Sequence, residues 1–177
     1  TFILAKGTTS RQVEGANWRH PAGPGSSLES KHNHPVVQIS FRDARVFAVW
    51  AGKRLPTEEE WEAAARGEEA FLFPWGNTWN PKNGNFEASF AGDTIPVDRY
   101  ITSSTSPFGI YDLLGNVYEW TASIYTNKSK PPPKRPGDKI HILKGGCWTS
   151  NGIISACHRL LERENFWSNI IGFRCAV

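Results

Sequence analysis

The stretch from Pro107 to Thr121 concentrates the oxygen-bearing side chains of this sequence that could do chemistry. Asp112, Asn116 and Glu119 are hard oxygen ligands, and the glycines between them allow backbone carbonyls to turn inward, which is how proteins hold a hard cation such as calcium. The alternative is a tight turn in which Asp and Asn bond to their own backbone. Spacing alone favours the turn.

The cysteines all lie in the C-terminal part of the chain. Cys147, Cys157 and Cys175 are the three cysteines, and an odd number allows at most one internal disulfide and leaves at least one thiol unpaired. Cysteine usage therefore leaves the compartment open.

The composition indicates what kind of scaffold positions these groups. At 177 residues the chain suits a single domain, 1–177, and 21% charged with 39% hydrophobic residues is ordinary for a globular protein. Eight Trp, no Met, 16 Gly and 12 Pro are not ordinary. We therefore expect a loop-rich fold whose interior is filled by large flat side chains.

The charge pattern argues against nucleic acid as a partner. The net charge is +3, and the basic residues concentrate in the segment from Lys128 to Lys139, which prolines interrupt. A nucleic-acid site would need a basic face with aromatic platforms, whereas this segment reads as a solvated loop. No apolar run approaches the ~18 residues that cross a bilayer, so we expect no membrane partner either.

Two helices are predicted from their caps and periodicity. Ser40 caps a helix with apolar Ala44, Phe47, Ala48 and Ala51, and Gly52 ends it.

The second helix has a capping box formed by Thr57 and Glu60, and Gly67 ends it. Glu58, Glu59 and Glu60 resemble a catalytic cluster, but stabilisation of the positive helix end explains them better.

Strands are predicted at 36–39, at 140–144 and around 172–177, with Gly145 and Gly146 bending the chain after the second. The region from Phe71 to Tyr100 has no helical period and is punctuated by turn formers, so we expect a loop with short strands there. Two short helices among short strands and long loops predict an α+β domain with an antiparallel sheet.

Several motifs in order give the sequence a resemblance to a known family. They are Gly-Ala-Asn-Trp-Arg-His-Pro (15–21), Gly-Lys-Arg-Leu-Pro-Thr-Glu-Glu-Glu-Trp-Glu (52–62), Phe-Pro-Trp-Gly-Asn (73–77), Tyr-Asp-Leu-Leu-Gly-Asn-Val-Tyr-Glu-Trp-Thr (111–121), Lys-Gly-Gly-Cys-Trp (144–148) and Gly-Phe-Arg-Cys-Ala (172–176). This set resembles the formylglycine-generating enzyme, or sulfatase-modifying factor, family. The resemblance covers almost the whole chain, although the family's usual N-terminal portion has no counterpart in it. It implies a modified C-type-lectin-like α+β fold.

The resemblance also implies structural calcium. The family site corresponds here to the side chains of Asp112 and Glu119 and the carbonyls of Gly115 and Val117. A second family site corresponds to Asn85, but its later ligands are missing because the following loop is short.

Catalysis is where the sequence departs from the family. The family enzymes use two cysteines to bind copper(I), activate oxygen and convert a sulfatase cysteine to formylglycine. The corresponding positions here are Ser150 and Ser155, and a hydroxyl cannot replace a thiolate as a copper(I) ligand. Cys147 and Cys157 lie nearby in sequence, and an oxidase acting through them is the alternative.

The resemblance therefore leaves three functions open. The first is a calcium-stabilised module that binds a peptide or protein, a sulfatase being one candidate, without oxidising it. The second is the copper-dependent oxidase, and the third is a ligand-binding protein diversified by a retroelement. The sulfoxide synthases of this fold need an additional iron-binding histidine domain, which has no counterpart in residues 1–177, so we do not expect that activity here.

The implied cleft residues are Trp18, Trp148, Ser150, Asn151, Ser155, His158 and Arg163. The family half-cystine positions correspond to Ala48, Ala65 and Leu160, which weakens an assignment to the secretory pathway, while Asn127 begins a glycosylation sequon. Compartment and oligomeric state stay open.

Overall fold

The computed structural model describes residues 2–3, 11–126 and 139–177. This part of the chain contains helices α1 (Phe41–Trp50) and α2 (Glu58–Arg66) and strands β1 (Phe2–Ile3), β2 (Arg11–Gln12), β3 (Tyr118–Ile124), β4 (Ile140–Lys144), β5 (Leu160–Arg163) and β6 (Ile171–Gly172). Short 3₁₀ turns at Pro81–Asn83 and Glu87–Ser89 interrupt the long loop between α2 and β3. The predicted sequon at 127–129 lies outside the described residues.

The main sheet has the strand order β5-β4-β3-β6. The β3–β4 and β4–β5 pairs are antiparallel, as expected, whereas β6 adds to β3 in the parallel direction. Gly172 is needed at this edge, because a Cβ there would lie 2.5 Å from the carbonyl oxygen of Val36. Strands β1 and β2 form a separate antiparallel pair.

Both helix caps are confirmed. Ser40 and Asp43 form a reciprocal capping box at the start of α1, and Thr57 and Glu60 form one at the start of α2. Gly67 ends α2 with a φ of 65°, a conformation that glycine adopts at little cost. These local signals position α2 against the sheet.

The strand predicted at 36–39 is wrong. The segment is irregular, because Gln38 has a φ of 62° and leaves the extended conformation. Long-range contacts support this conformation: the Gln38 backbone N–H donates to the Ser168 carbonyl and its side-chain amide to the Pro21 carbonyl. The last predicted strand is reduced to β6 and an isolated bridge between Arg54 and Ala176.

The interior consists of two aromatic-rich clusters, which agrees with the Trp-rich composition. One packs α1 against β3 and β4 around Trp120, whose indole N–H donates to the Ile39 carbonyl. The other packs α2 around Trp61 and includes Phe73, Phe86 and Leu113. Leu113 and Leu114 of the candidate metal loop belong to the second cluster, and Tyr118, which follows the loop, belongs to the first.

None of the described helices is long and apolar enough to cross a membrane.

Candidate functional site

The loop before β3 turns sharply three times. Asp112, Gly115 and Asn116 have φ values of 58°, 86° and 62°, in the left-handed region. The buried Asn116 side chain holds the loop, because its Nδ2 donates to the Ile95 carbonyl and to Asp112 Oδ2 while its Oδ1 accepts from the Ile95 N–H. This conformation is the predicted turn, and it also turns backbone carbonyls toward the interior.

Glu119 is the buried carboxylate at the centre of the site. Its Oε2 accepts from Trp61 Nε1 at 2.7 Å and from Arg174 Nε at 2.5 Å, and its Oε1 accepts from Arg174 Nη2 at 2.7 Å. The same guanidinium donates to the Asp112 carbonyl at 3.0 Å. Arg174 therefore binds Glu119 as a fork and ties the C-terminal motif to the loop.

Asp112 is the second carboxylate of the loop. Burial raises the pKa of Asp112 to about 7 and the charge of Glu119 adds to the increase, whereas the Asn116 hydrogen bond and Arg174 oppose it. Two carboxylates thus share a single guanidinium, which leaves the loop short of positive charge.

These residues fit a hard cation of modest affinity. A Cβ at Gly145 would lie 2.9 Å from the Leu113 carbonyl oxygen and 3.5 Å from that of Val117, so carbonyl oxygens converge beside the loop. Within the described ranges, no three His, Cys, Asp or Glu side chains are grouped to hold a metal. A calcium ion would have two carboxylates, Asp112 and Glu119, and backbone carbonyls, and fewer charged ligands mean weaker binding.

Asn85 is occupied by internal hydrogen bonds. Its Nδ2 donates to the Asp93 carbonyl and to Asn116 Oδ1, and its Oδ1 accepts from Ser89 Oγ. The amide of Asn85 thus anchors the loop to Asp93, Asn116 and Ser89, and its role as a metal ligand stays a prediction.

The thiols of Cys147 and Cys157 occupy different environments. Cys147 is buried in the α1 cluster, with Thr149 Oγ1 at 3.1 Å and Ser150 Oγ at 3.6 Å from its sulfur. Cys157 is exposed and donates from Sγ to Glu62 Oε1 at 3.3 Å. Burial raises the pKa of Cys147, and desolvation and Glu62 raise that of Cys157, so neither site favours the thiolate that copper(I) needs. All three cysteines are free.

Three of the predicted cleft residues line two separate cavities. Trp18, which is 44% exposed, lines a cavity of about 560 Å³ together with Phe47 and Phe173. Ser150 and Asn151 line another of about 360 Å³ beside the 3₁₀ turns.

The other cleft residues lie in or on the scaffold. Trp148 is only 3% exposed and packs in the α1 cluster. His158 contacts the Tyr118 hydroxyl at 3.3 Å, and burial and Lys144 lower its pKa. The Ser155 carbonyl accepts from the His158 N–H, and Arg163 ends β5 opposite Ile140. Ligand binding by this set stays a prediction.

A buried ion network under α2 was missed by the sequence interpretation. Lys144 is fully buried, and its Nζ lies 3.3 Å from Glu58 Oε1 and 3.1 Å from Glu62 Oε2. Arg159 also bonds to Glu58. Assigning Glu58 only to the helix end was incomplete. The available signal was the i, i+4 spacing of Glu58 and Glu62 on the face that carries Trp61.

The chain matches, over residues 1–177, the family model described as "Sulfatase-modifying factor enzyme 1-like domain". It is 40% identical over 182 residues to "Inactive C-alpha-formylglycine-generating enzyme 2" of Bos taurus, covering 93% of this chain and 57% of the relative. It is 44% identical over 192 residues to "Formylglycine-generating enzyme" of Thermomonospora curvata, covering 93% and 62%. The chain thus spans little more than half the length of these relatives.

Solved structures show the same fold. PvdO from Pseudomonas aeruginosa superposes with a TM-score of 0.64 at 25% identity, covering 80% of this chain and 60% of that one. CarF superposes with a TM-score of 0.66 at 21% identity, covering 84% and 69%. These likenesses confirm the α+β fold expected from the motifs.

Proposed function

The chain belongs to the sulfatase-modifying factor family, and we propose that it is a non-oxidising member that binds a peptide or protein ligand on a calcium-stabilised scaffold. The family has both kinds of member among the relatives of this chain, since one is named an inactive formylglycine-generating enzyme and another a formylglycine-generating enzyme. The choice between them therefore depends on the residues of the site.

The observation that carries the proposal is the position and the surroundings of the cysteine thiols. The positions that match the copper ligands of the family are Ser150 and Ser155, and the Ser150 hydroxyl accepts from the Cys147 N–H at 2.9 Å. The two nearby thiols lie in different environments: Cys147 is buried in the α1 cluster, and Cys157 donates a hydrogen bond to Glu62. This arrangement offers no pair of thiolates for a soft monovalent cation.

The test is a copper(I) titration against a competing chelator, followed by oxygen uptake with a Cys-x-Pro-x-Arg peptide. We expect no stoichiometric copper binding and no oxygen consumption, while the Thermomonospora curvata relative serves as the active control. The double variant Ser150→Cys, Ser155→Cys is expected to gain copper(I) binding. Copper-dependent oxygen uptake by the unmodified chain would establish the oxidase instead.

The exposed aromatic surface supports ligand binding. Trp18 stands at the mouth of the 560 Å³ cavity, and the guanidinium of Arg19 lies 4.3 Å from its ring centre. Exposed Trp and Arg are the residue types that dominate protein interfaces. A peptide that binds here would bury the indole against Phe47 and Phe173.

Peptide binding is tested by calorimetry with the Cys-x-Pro-x-Arg peptide. Trp18→Ala is expected to weaken binding at least tenfold, because interface tryptophans commonly contribute about 2 kcal/mol. Trp50→Ala is the matched control, since Trp50 is 79% exposed but does not line the cavity. Equal affinity of the two variants would place the ligand elsewhere.

Calcium would be held by the Asp112 and Glu119 carboxylates with the Gly115 and Val117 carbonyls, and it would supply structural charge rather than chemistry. The shared guanidinium and the raised pKa of Asp112 support this assignment.

A further inference from the structure

A cavity of about 390 Å³ opens between α1 and the sheet, away from the predicted cleft. Its walls are largely apolar, and Phe41, Val49 and Ile124 contribute to them. None of the predicted cleft or metal residues lines it. A volume of this size is in the range of small-molecule sites.

His141 lines this cavity with its hydrogen-bonding groups unused. The residue is 2% exposed, and neither Nδ1 nor Nε2 has a hydrogen-bond partner. The Phe41 ring stacks on it at 3.5 Å, and the Trp120 ring meets it edge-on at 6.4 Å. Burial lowers the pKa of His141; the backbone carbonyls of Thr121 and Ser123 lie close enough to oppose this, but neither meets hydrogen-bond geometry. A buried polar ring without partners is costly and needs an explanation.

The charged residues at the cavity differ in how they are neutralised. Glu164 is paired with Arg42, and Arg54 is paired with Glu60. Arg45 and Lys139 also line the cavity, and neither has an ion pair in the described part of the chain. The uncompensated charge at the cavity is therefore positive.

We propose that this cavity binds a small ligand with a flat apolar body and a carboxylate. The body would lie against Phe41 and Ile124, and the carboxylate would interact with Arg45 and Lys139. A polar atom of the ligand would give the imidazole of His141 the partner that it lacks in the protein. Apolar walls, uncompensated cations and one unpartnered buried ring together specify this class of ligand.

Three probes of equal shape test the charge preference: 3-phenylpropionate, 3-phenylpropanol and 3-phenylpropylamine, titrated by calorimetry and ¹H–¹⁵N NMR of the imidazole. The carboxylate is expected to bind about tenfold more tightly than the alcohol, and the amine not at all, with a shift of the His141 ring nitrogens on carboxylate binding. Equal binding of the three probes, or no binding of the carboxylate, would overturn the proposal.

Two variants localise the site. Arg45→Gln is expected to reduce carboxylate affinity about fivefold and to leave folding intact because Arg45 is exposed, whereas Arg99→Gln is the control for loss of an exposed guanidinium elsewhere. His141→Phe keeps the stacking on Phe41 and is expected to weaken the carboxylate and the alcohol alike, because both lose the imidazole as a partner, while the preference for the carboxylate that Arg45 and Lys139 set persists. If Arg45→Gln and Arg99→Gln bind alike, the carboxylate does not bind in this cavity.

Discussion

Around Glu119 a single guanidinium compensates the charge of two carboxylates, whereas around Lys144 an ammonium and two guanidiniums compensate the charge of two carboxylates. Arg174 is the cation in the first cluster. In the second, Lys144 lies between Glu58 and Glu62, and Arg159 and Arg66 add their charges from the sides. Both clusters touch α2, and Trp61 lies between them: its N–H donates to Glu119, and its ring lies 5.8 Å from Lys144 Nζ.

The two clusters differ in the balance of charge rather than in the presence of acidic residues. Although burial raises the pKa of Glu62, its hydrogen bonds with Lys144, Arg66 and Cys157 outweigh burial and hold the pKa below its ordinary value. Asp112 has no such surplus of cations, and its pKa rises to about 7. This difference is why the proposed calcium is placed at the first cluster rather than the second.

The largest loss of stability is expected from removing Lys144 from the second cluster, which we call the balanced cluster because its cations compensate its carboxylates. Lys144→Met leaves the buried Glu58 and the half-buried Glu62 without their shared ammonium, and breaking a buried pair from one side costs about 3–5 kcal/mol. Urea denaturation measures this loss. Arg54→Met is the control, because its pair with Glu60 is about half exposed, so that solvent screens the attraction and the loss of stability should be much smaller.

The second-site variant Glu62→Gln should recover part of the stability lost in Lys144→Met, since it removes one of the stranded charges. A cost below about 1 kcal/mol for Lys144→Met would mean that solvent already reaches the cluster.

A smaller change in stability is expected from altering the cluster around Glu119, which we call the unbalanced cluster. This change depends on pH. The pKa of Asp112 is about 7 in the folded chain against an ordinary 3.8, so the native state holds a proton that the unfolded chain has lost. In calcium-free buffer, this contribution to stability is full below pH 4 and is lost as the pH rises to about 7. Asp112→Asn should remove this pH dependence and stabilise the chain at pH 8 by about 2 kcal/mol, because partial solvent access reduces the ceiling of about 4.

Calcium should reverse the ranking of the two proteins at pH 8. An ion that binds only the folded state at a hundred times its Kd adds about 2.7 kcal/mol, which the Asn variant should largely forgo. Thermal melts at pH 5 and pH 8, with chelator or calcium, measure both effects. Glu69→Gln, at an exposed position, is the control for loss of a carboxylate. A calcium response identical in Asp112→Asn and the parent would remove this loop from consideration.

The two clusters also show what could be predicted from the sequence. The caps of α1 and α2 and the strand at 140–144 follow from residues within a few positions of one another, and these predictions are confirmed. Asp112 and Glu119 were identified because they lie in one motif. The partners of Lys144 lie 86 and 82 residues away, and no local pattern relates such positions.

The same reason explains the strand that failed. Val36, Val37 and Ile39 are apolar and suited to a strand, yet Gln38 adopts a left-handed conformation because the Ser168 and Pro21 carbonyls accept its donors from distant parts of the chain. Likewise, the local sequence correctly predicted the β-strand that contains His141, but it could not predict that the imidazole lacks hydrogen-bond partners. Residues close in sequence thus determine the helices and strands, whereas contacts between distant residues determine the buried polar interactions.

The smallest effect concerns the exposed thiol at the edge of the balanced cluster. Desolvation and the charge of Glu62 raise the pKa of Cys157, while Arg66 and Lys144 lower it. Glu62→Gln removes an anion and leaves both cations, so the pKa should fall and labelling by iodoacetamide at pH 7.5 should accelerate between twofold and tenfold. Mass spectrometry of the native chain follows Cys157, and the buried Cys147 should stay unlabelled as an internal control. Unchanged or slower labelling of Cys157 in Glu62→Gln would show that exposure, rather than the surrounding charge, sets its reactivity.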